Sequence, residues 1–428
     1  MQVYVVQSGD TLYSISNLFQ TSIAAIEEAN KLKTPNLIIG QTLVIPIVGH
    51  YYFVKPGDTL FLIAQRYHMS VELLARINQI PPTFTLPVAL RLYIPPHPKK
   101  TLTTFAYIEP VGDSVSPALE SIAKSKAPYL TYLAPFTYRV NRDGSLTPPP
   151  LNRLKEISEK NKTEMTLVIS NLDGFTFSPE LAHIILNVKA VQNKLIDEIV
   201  NTAIKEGFSV VHFDFEFVPQ EDREAYNKFL QKIKPRLADH NILLSTALAP
   251  KTSSSQPGLL YEAHDYNFHG KIADFVIILT MEWGYQTGYP GPISPINEVE
   301  KVLDYALTEI PAEKILLGQN LYGYDWTMPY IQGESKARAI SPQQAVQIAR
   351  DHYAEIEFDE TAQAPYFEYT DDDGKRHIVW FEDGRSIQAK FDLINRYQLL
   401  GIAYWKLGYH FPQNWLLLKD QFDITKAK

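Results

Sequence analysis

The 428-residue chain contains no cysteine, which excludes disulfides, thiolate–zinc sites and cysteine nucleophiles. Basic charge is also short. Forty Lys and Arg against 48 Asp and Glu leave a net charge of −8, the reverse of the basic footprint of a nucleic-acid binder. No run of about 18 apolar residues occurs, so no membrane span is expected. Met1–Asp10 shows no cationic segment leading into an apolar run, and no secretory signal is expected. The histidines are scattered without a His-x-x-x-His pair, and Gly174 and Gly207 stand alone rather than in a phosphate-cradling loop. Neither a metal nor a cofactor is therefore expected. What the chain has in quantity is aromatic surface, 12% of residues with 25 tyrosines, suited to stacking on sugar rings. A hydrophobic fraction of 45% predicts globular domains, and the length allows two to four of them.

The N-terminal hundred residues repeat themselves. Val5-Val-Gln-Ser-Gly-Asp-Thr-Leu12 recurs as Phe53-Val-Lys-Pro-Gly-Asp-Thr-Leu60, and the same offset carries Ile15 onto Ile63 and Asn30 onto Asn78. Leu43-Val-Ile-Pro46 matches Leu92-Tyr-Ile-Pro95 with one residue gained. Each unit reads strand, helix, helix, strand, with Gly-Asp-Thr giving the tight turn and helix N-cap and Leu12, Ile15 and Phe19 a helical stripe. The pattern resembles LysM modules, βααβ domains that bind N-acetylglucosamine-containing polymers, over residues 1–48 and 49–97. The resemblance implies a sugar groove between the Gly9, Asp10, Thr11, Leu12 turn and the loop from Asn30. In the second module the groove would lie between Gly57, Asp58, Thr59, Leu60 and the loop from Asn78. Gly40-Gln41 of the first module is replaced by Val88-Ala89 in the second, so an altered second groove is expected. Pro95–Lys100 reads as a stiff linker, and residues 98–428 as a further domain.

Beyond the linker, short apolar runs alternate with helical patterns such as Val188–Glu206, Glu221–Leu237 and Ile296–Glu309. The runs are Thr103–Pro110, Tyr129–Tyr138, Met165–Asn171, Ser209–Phe217, Ile242–Pro250, Asp274–Trp283, Ile315–Trp326 and Gly401–Gly408. Eight strands separated by helices predict an α/β chain, a parallel (β/α)8 TIM barrel. Polar, strand-like text around Asp371–Gly374 predicts a small α+β insertion between strands seven and eight, at about residues 340–385, lining one side of the mouth.

Barrel enzymes carry their chemistry at the C-terminal ends of the strands. The fourth run, Ser209-Val-Val-His-Phe-Asp-Phe-Glu-Phe217, alternates. His212, Asp214 and Glu216 fall on one face, and Val211, Phe213, Phe215 and Phe217 on the other. Two carboxylates and a histidine in a barrel interior are costly to bury unless the chemistry requires them. Carboxylates this close also push their pKa values apart, leaving one protonated near neutral pH for general acid catalysis.

This text resembles the DxxDxDxE signature of glycoside hydrolase family 18, the chitinase-like barrels, with the two upstream aspartates replaced by Ser209 and His212. Tyr107, Asn320-Leu-Tyr-Gly-Tyr324, Trp380–Ser386 and Trp405 extend the likeness across residues 103–420. Tandem LysM modules on such a barrel resemble the spore cortex-lytic N-acetylglucosaminidases of the SleL type. The resemblance implies a substrate-assisted retaining mechanism. Glu216 is the acid, Asp214 orients the substrate's acetamido group and Trp405 floors the sugar site. His212 is expected to donate to Asp214 in place of the missing aspartate. Where the family reads Met-x-Tyr-Asp or Met-x-Tyr-Glu, this chain has Leu279-Thr-Met281-Glu282. Met281 cannot donate, so a hydroxyl of Tyr322 or Tyr324 is expected to compensate, with Glu282 on the leaving-group side. The resemblance thus implies a monomeric spore-located peptidoglycan hydrolase. A chitinase or chito-oligosaccharide hydrolase is the first alternative and a non-catalytic cell-wall lectin the second; retention of both Asp214 and Glu216 opposes the lectin.

Overall fold

The computed structural model describes every residue except His97 and Lys428, so part of the expected Pro95–Lys100 linker lies outside the described residues. The chain divides into two compact units, Met1–Lys100 with Pro412–Phe422, and Thr101–Phe411 with Asp423–Lys428.

The first unit holds two βααβ modules. In the first, strand Gln2–Val5 pairs antiparallel with Thr42–Ile45 around helices Leu12–Phe19 and Ile23–Asn30. In the second, His50–Phe53 pairs with Arg91–Ile94 around Leu60–Arg66 and Val71–Ile77. Gly9 and Gly57 both sit at φ +86, a backbone region that only glycine enters freely. Thr11 and Thr59, rather than the aspartates before them, are the N-caps, accepting from the amides of Ser14 and Leu62. Asp10 and Asp58 pin the preceding turns, each accepting from a tyrosine hydroxyl (Tyr4 at 2.7 Å, Tyr52 at 2.6 Å) and from a main-chain amide. The altered text before the last strand of module two changes little in the backbone. Ala89 takes the left-handed φ of 66 where Gly40 has 81. The modules also touch. The Arg91 guanidinium lies 4.5 Å from the Tyr51 ring and donates to the Leu18 carbonyl at 2.6 Å. Helix Pro412–Gln421 completes this unit, with Gln413 donating to the Thr42 carbonyl at 2.7 Å.

The second unit is a closed barrel of eight parallel strands: β1 Lys100–Ile108, β2 Tyr132–Pro135, β3 Glu164–Ser170, β4 Val210–Asp214, β5 Leu243–Leu248, β6 Phe275–Ile278, β7 Ile315–Asn320 and β8 Gly401–Leu407. Each pairs with its neighbours in chain order, and β8 returns to β1 with Ile402 opposite Thr104. At Gly401 a Cβ would fall 1.8 Å from the Thr103 carbonyl oxygen, so the closing seam requires glycine there. Phe105, Val168, Val210, Phe275, Ile277 and Leu316 fill the barrel interior. The outward face of β4 behaves as its alternation predicts. Phe213 meets Phe229 edge-on at 5.3 Å, and Phe215 stacks on Tyr226 at 5.6 Å, both on helix Arg223–Ala238. Fully buried side chains of this size contribute about 1.5–3 kcal/mol each. Phe217 breaks the pattern, for the strand has ended and its φ is +52.

The insertion is larger than the expected 340–385. The run Ile315–Trp326 is two strands, not one. β7 stops at Asn320, and Gly323–Thr327 already belongs to a five-stranded antiparallel sheet that includes Arg376–Trp380 and Ala364–Thr370. Helix Pro342–Asp351 accompanies that sheet.

Candidate active site

A cavity of about 1050 Å³ opens at the C-terminal ends of the strands, lined by Tyr107, Asp214, Glu216, Met281, Glu282 and Trp405 among others. Tyr322 and Tyr324 line it too. Sequence order scatters these side chains over about 300 residues, and the barrel brings them together because they stand at or just past the strand ends, with Tyr324 added from the insertion's sheet.

β4 delivers the central group. His212 is fully buried, its Nε2 2.7 Å from the Tyr107 hydroxyl and its Nδ1 2.9 Å from Ser245 Oγ. Burial holds the imidazole down at about 3, so it is neutral at physiological pH. One ring nitrogen donates and the other accepts. The expected bond from His212 to Asp214 is therefore absent: both ring nitrogens are already engaged with β1 and β5. The histidine instead fixes the hydroxyl of Tyr107, which lines the cavity.

Asp214 is 4% exposed, and its Oδ1 has no hydrogen-bond partner among the described residues. Burial raises its carboxyl above the ordinary range. Glu216 lies two residues past the end of β4 and faces the cavity. Desolvation pushes its carboxyl well up, and the charges of Asp214 and then Glu282 push it further. Two carboxyls so placed titrate as a pair, and burial raises both above the ordinary carboxylate range.

The sequence reading missed Asn171. It follows β3, is fully buried, and clamps Glu216 by its main chain. Asn171 Oδ1 accepts from the Glu216 amide at 3.0 Å, while its Nδ2 donates to the Glu216 carbonyl at 2.8 Å and the Ser178 carbonyl at 3.1 Å. The available signal was its place at the last position of a barrel run. Phe136 at the top of β2 was missed for the same reason. It and Tyr107 contact Trp405 edge-on, at 4.8 and 5.2 Å, so the indole is wedged by two rings as the cavity floor.

Met281 is buried among Ile293, Tyr322 and Tyr324, a cluster against which Trp405 also packs. The compensating hydroxyls expected from the two tyrosines are committed elsewhere. Tyr322 donates to Glu282, and Tyr324 donates to the same carboxylate at 3.0 Å. Glu282 therefore presents a carboxylate oriented by two phenols, and its backbone adopts φ +67 to do so. Asn320 is corrected as well. It lies behind the cavity wall, buried, donating to the Tyr322 carbonyl at 2.8 Å and accepting from Gln319.

In the LysM-like modules the two asparagines are likewise scaffold. Asn30 is buried and spends its amide on the Ile26 carbonyl and on both main-chain groups of Val44. Asn78 repeats this with Leu74 and Tyr93. The faces left open beside the turns carry Tyr13 and Phe61, 69% and 63% exposed, at equivalent repeat positions. Among the described residues no cluster of three or more His, Asp or Glu could hold a metal ion, and no helix is long and apolar enough to cross a membrane.

Comparison with known proteins agrees with this geometry. LysM domain models match residues 4–46 and 52–95. The chain is 51% identical over 427 residues to a cortical fragment-lytic enzyme of Bacillus subtilis, covering 100% of this chain and 99% of that protein. Its fold is similar to the crystal structures of the spore cortex-lytic enzymes SleL from Bacillus megaterium (TM-score 0.91, 48% identity, 99% of both chains) and Bacillus cereus (TM-score 0.91, 44% identity, 100% and 99%). The model of glycosyl hydrolases family 18 matches residues 106–410, more than half the chain, and the protein belongs to that family.

Proposed function

We propose that the protein is an N-acetylglucosaminidase that cleaves spore cortex peptidoglycan or its fragments during germination. The observation that carries this reading is the pairing, at one strand end and beside the Trp405 indole, of the cavity-facing Glu216 carboxyl, which burial and its neighbours push up, with the buried, partly unsatisfied carboxyl of Asp214. Cortical fragment-lytic relatives with the same domain order support the choice of substrate. So do the two LysM modules, which hold the enzyme on N-acetylglucosamine-containing glycan while the barrel cuts.

In the reaction the Trp405 indole stacks on the N-acetylglucosamine ring. Glu216 donates its proton to the glycosidic oxygen as the C1–O bond breaks. The substrate's 2-acetamido oxygen attacks C1 and forms an oxazolinium ion with inverted configuration. The unpartnered Asp214 Oδ1 accepts from the acetamido N–H, which orients the attacking group and offsets its developing positive charge. Glu216, now ionised, takes a proton from the water that opens the oxazolinium, and the second inversion gives net retention. No protein nucleophile is used, the substrate-assisted exception to the two-carboxylate scheme. Tyr107, fixed by His212, and the Glu282 carboxylate also line the cavity.

The test is mass spectrometry of muropeptides released from purified cortex by the wild type and by Glu216→Gln. Wild-type products should end in reducing N-acetylglucosamine, and the variant should lose about 10³-fold or more in kcat, within the range general acid catalysis supplies. Products ending in reducing muramic acid, or a variant keeping a tenth of wild-type turnover, would sink the reading.

A further inference from the structure

The chain leaving β3 forms a hairpin, Leu172–Asp173 against Thr176–Phe177, with Gly174 at φ +65 in its turn. Phe175 at the tip is 95% exposed, more than any other large hydrophobic side chain described. Beside it, Arg139 stands on the short strand Tyr138–Val140, in register with Ser170 at the end of β3. Its guanidinium is 6.0 Å from the Phe175 ring centre. Both side chains line the cavity, on the side of Asp214 and Glu216.

The hairpin is held in place rather than loose. Arg142 reaches Asp173 at 3.8 Å, and Asn171 ties the hairpin's base to the Glu216 main chain. An aromatic ring exposed at a cavity mouth offers a flat apolar face suited to stacking on a sugar ring. The charges around it narrow the ligand. Glu109, Glu282 and Glu298 line the cavity together with the Asp214–Glu216 pair, against two cations, Arg139 and Lys406. Lys406 is paired with Glu109. Arg139 makes no ion pair among the described residues. An anionic substituent entering the cavity is attracted at Arg139, the lining cation that makes no ion pair among the described residues.

We propose that Arg139 and Phe175 form a specificity element for the muramyl part of the substrate. Phe175 covers a sugar face, and the Arg139 guanidinium pairs with a carboxylate carried by the muramyl residue, on its lactyl group or its attached peptide. The planar guanidinium fork matches a carboxylate in a way a neutral chito-oligosaccharide cannot use. This inference rests on the peptidoglycan reading above and separates peptidoglycan from chitin as substrate.

Binding is measured by calorimetry on the full chain in a Glu216→Gln background, where hydrolysis is blocked, with four probes. These are a peptide-bearing muropeptide tetrasaccharide with free carboxylates, the same probe amidated, its peptide-free form with a free lactyl carboxylate, and chitotetraose. Arg139→Ala should weaken a probe that carries the recognised carboxylate about two- to fivefold, the scale of a partly exposed charge pair, and leave the amidated probe and chitotetraose unchanged. Because the peptide is attached through the lactyl carboxyl, weakening of the peptide-free probe alone assigns the lactyl carboxylate, weakening of the peptide-bearing probe alone assigns the peptide, and weakening of both assigns a site that takes either. Arg139→Lys should retain part of the preference, and Phe175→Ala should weaken all four probes together. Equal weakening of every probe by Arg139→Ala, or none, overturns the proposal. Wild-type turnover separates this from the functional reading. A wild type that binds the muropeptide with the Arg139-dependent preference yet never cleaves it refutes the reading and leaves the specificity element standing.

Discussion

Removing the Asn171 side chain is the sharpest test of how the acid is positioned. Asn171→Ala deletes three hydrogen bonds, of 3.0, 2.8 and 3.1 Å, and leaves the Glu216 amide, the Glu216 carbonyl and the Ser178 carbonyl without them. A buried group losing its partner costs about 1–3 kcal/mol. With the segment part-exposed and able to take up water, the combined local cost is about 2–4 kcal/mol. Glu216 lies beyond the last residue of β4, so no barrel pairing holds its main chain, and the loss falls on the acid directly. A displacement of about 1 Å at a reacting group costs on the order of 10²-fold in rate. We therefore expect kcat to fall about 30- to 100-fold on a soluble muropeptide while KM changes less than threefold. The pH profile adds a signature that global destabilisation would not give. Burial and the neighbouring carboxyls hold the Glu216 carboxyl up. A loosened, better hydrated Glu216 loses its proton at lower pH, so the alkaline limb of kcat should move toward acid. A kcat within threefold of wild type, or a loss confined to KM, would refute the clamp.

Two further outcomes follow from burial and exposure. Burial raises the Asp214 carboxyl in the folded protein, so the fold keeps a proton that the unfolded chain has already released. The native state is then penalised as pH rises from the ordinary carboxylate range through the raised value. Asp214→Asn removes that penalty. Its urea midpoint should exceed the wild type's at pH 8 and match it at pH 4, while kcat collapses; an equal gain at both pH values would contradict the assignment. Tyr13→Ala with Phe61→Ala should lower co-sedimentation with insoluble cortex and leave turnover of small fragments unchanged. Point changes are preferred to deleting residues 1–98, because Gln413 of helix Pro412–Gln421 bonds to Thr42 and the deletion would strip that helix of its partner. Unaltered sedimentation of the double variant would remove the two rings from glycan binding.

The tandem modules, the eight-stranded barrel and the line His212, Asp214, Glu216 were legible because each is a periodic or repeated feature of neighbouring residues. An offset of 48 residues, a period of two and the rule that catalysis sits at strand ends all act along the chain. What stayed hidden are the partners that closure brings from elsewhere. No local pattern tells that His212 is satisfied by Tyr107 from β1 and Ser245 from β5, so the bond to Asp214 that the resemblance implied, in place of the family's missing aspartate, is not formed. Asn30 and Asn78 were noticed through the repeat and placed beside the expected grooves. Only the main-chain groups of Val44 and Tyr93 across each module reveal them as braces. The insertion was placed too late because the strand-like text resumes at Leu321-Tyr322 after Gln319-Asn320, although the chain leaves the barrel there. These failures share one physical origin. A hydrophobic period records which face is buried, but a buried polar side chain is explained only by the donor or acceptor it meets. In this protein Asn171, which holds the main chain of Glu216, and Ser245, which holds the ring of His212, are of that kind. The chemistry of β4 can be read from nine consecutive residues, whereas its support comes from β1, β2, β5 and the segment following β3.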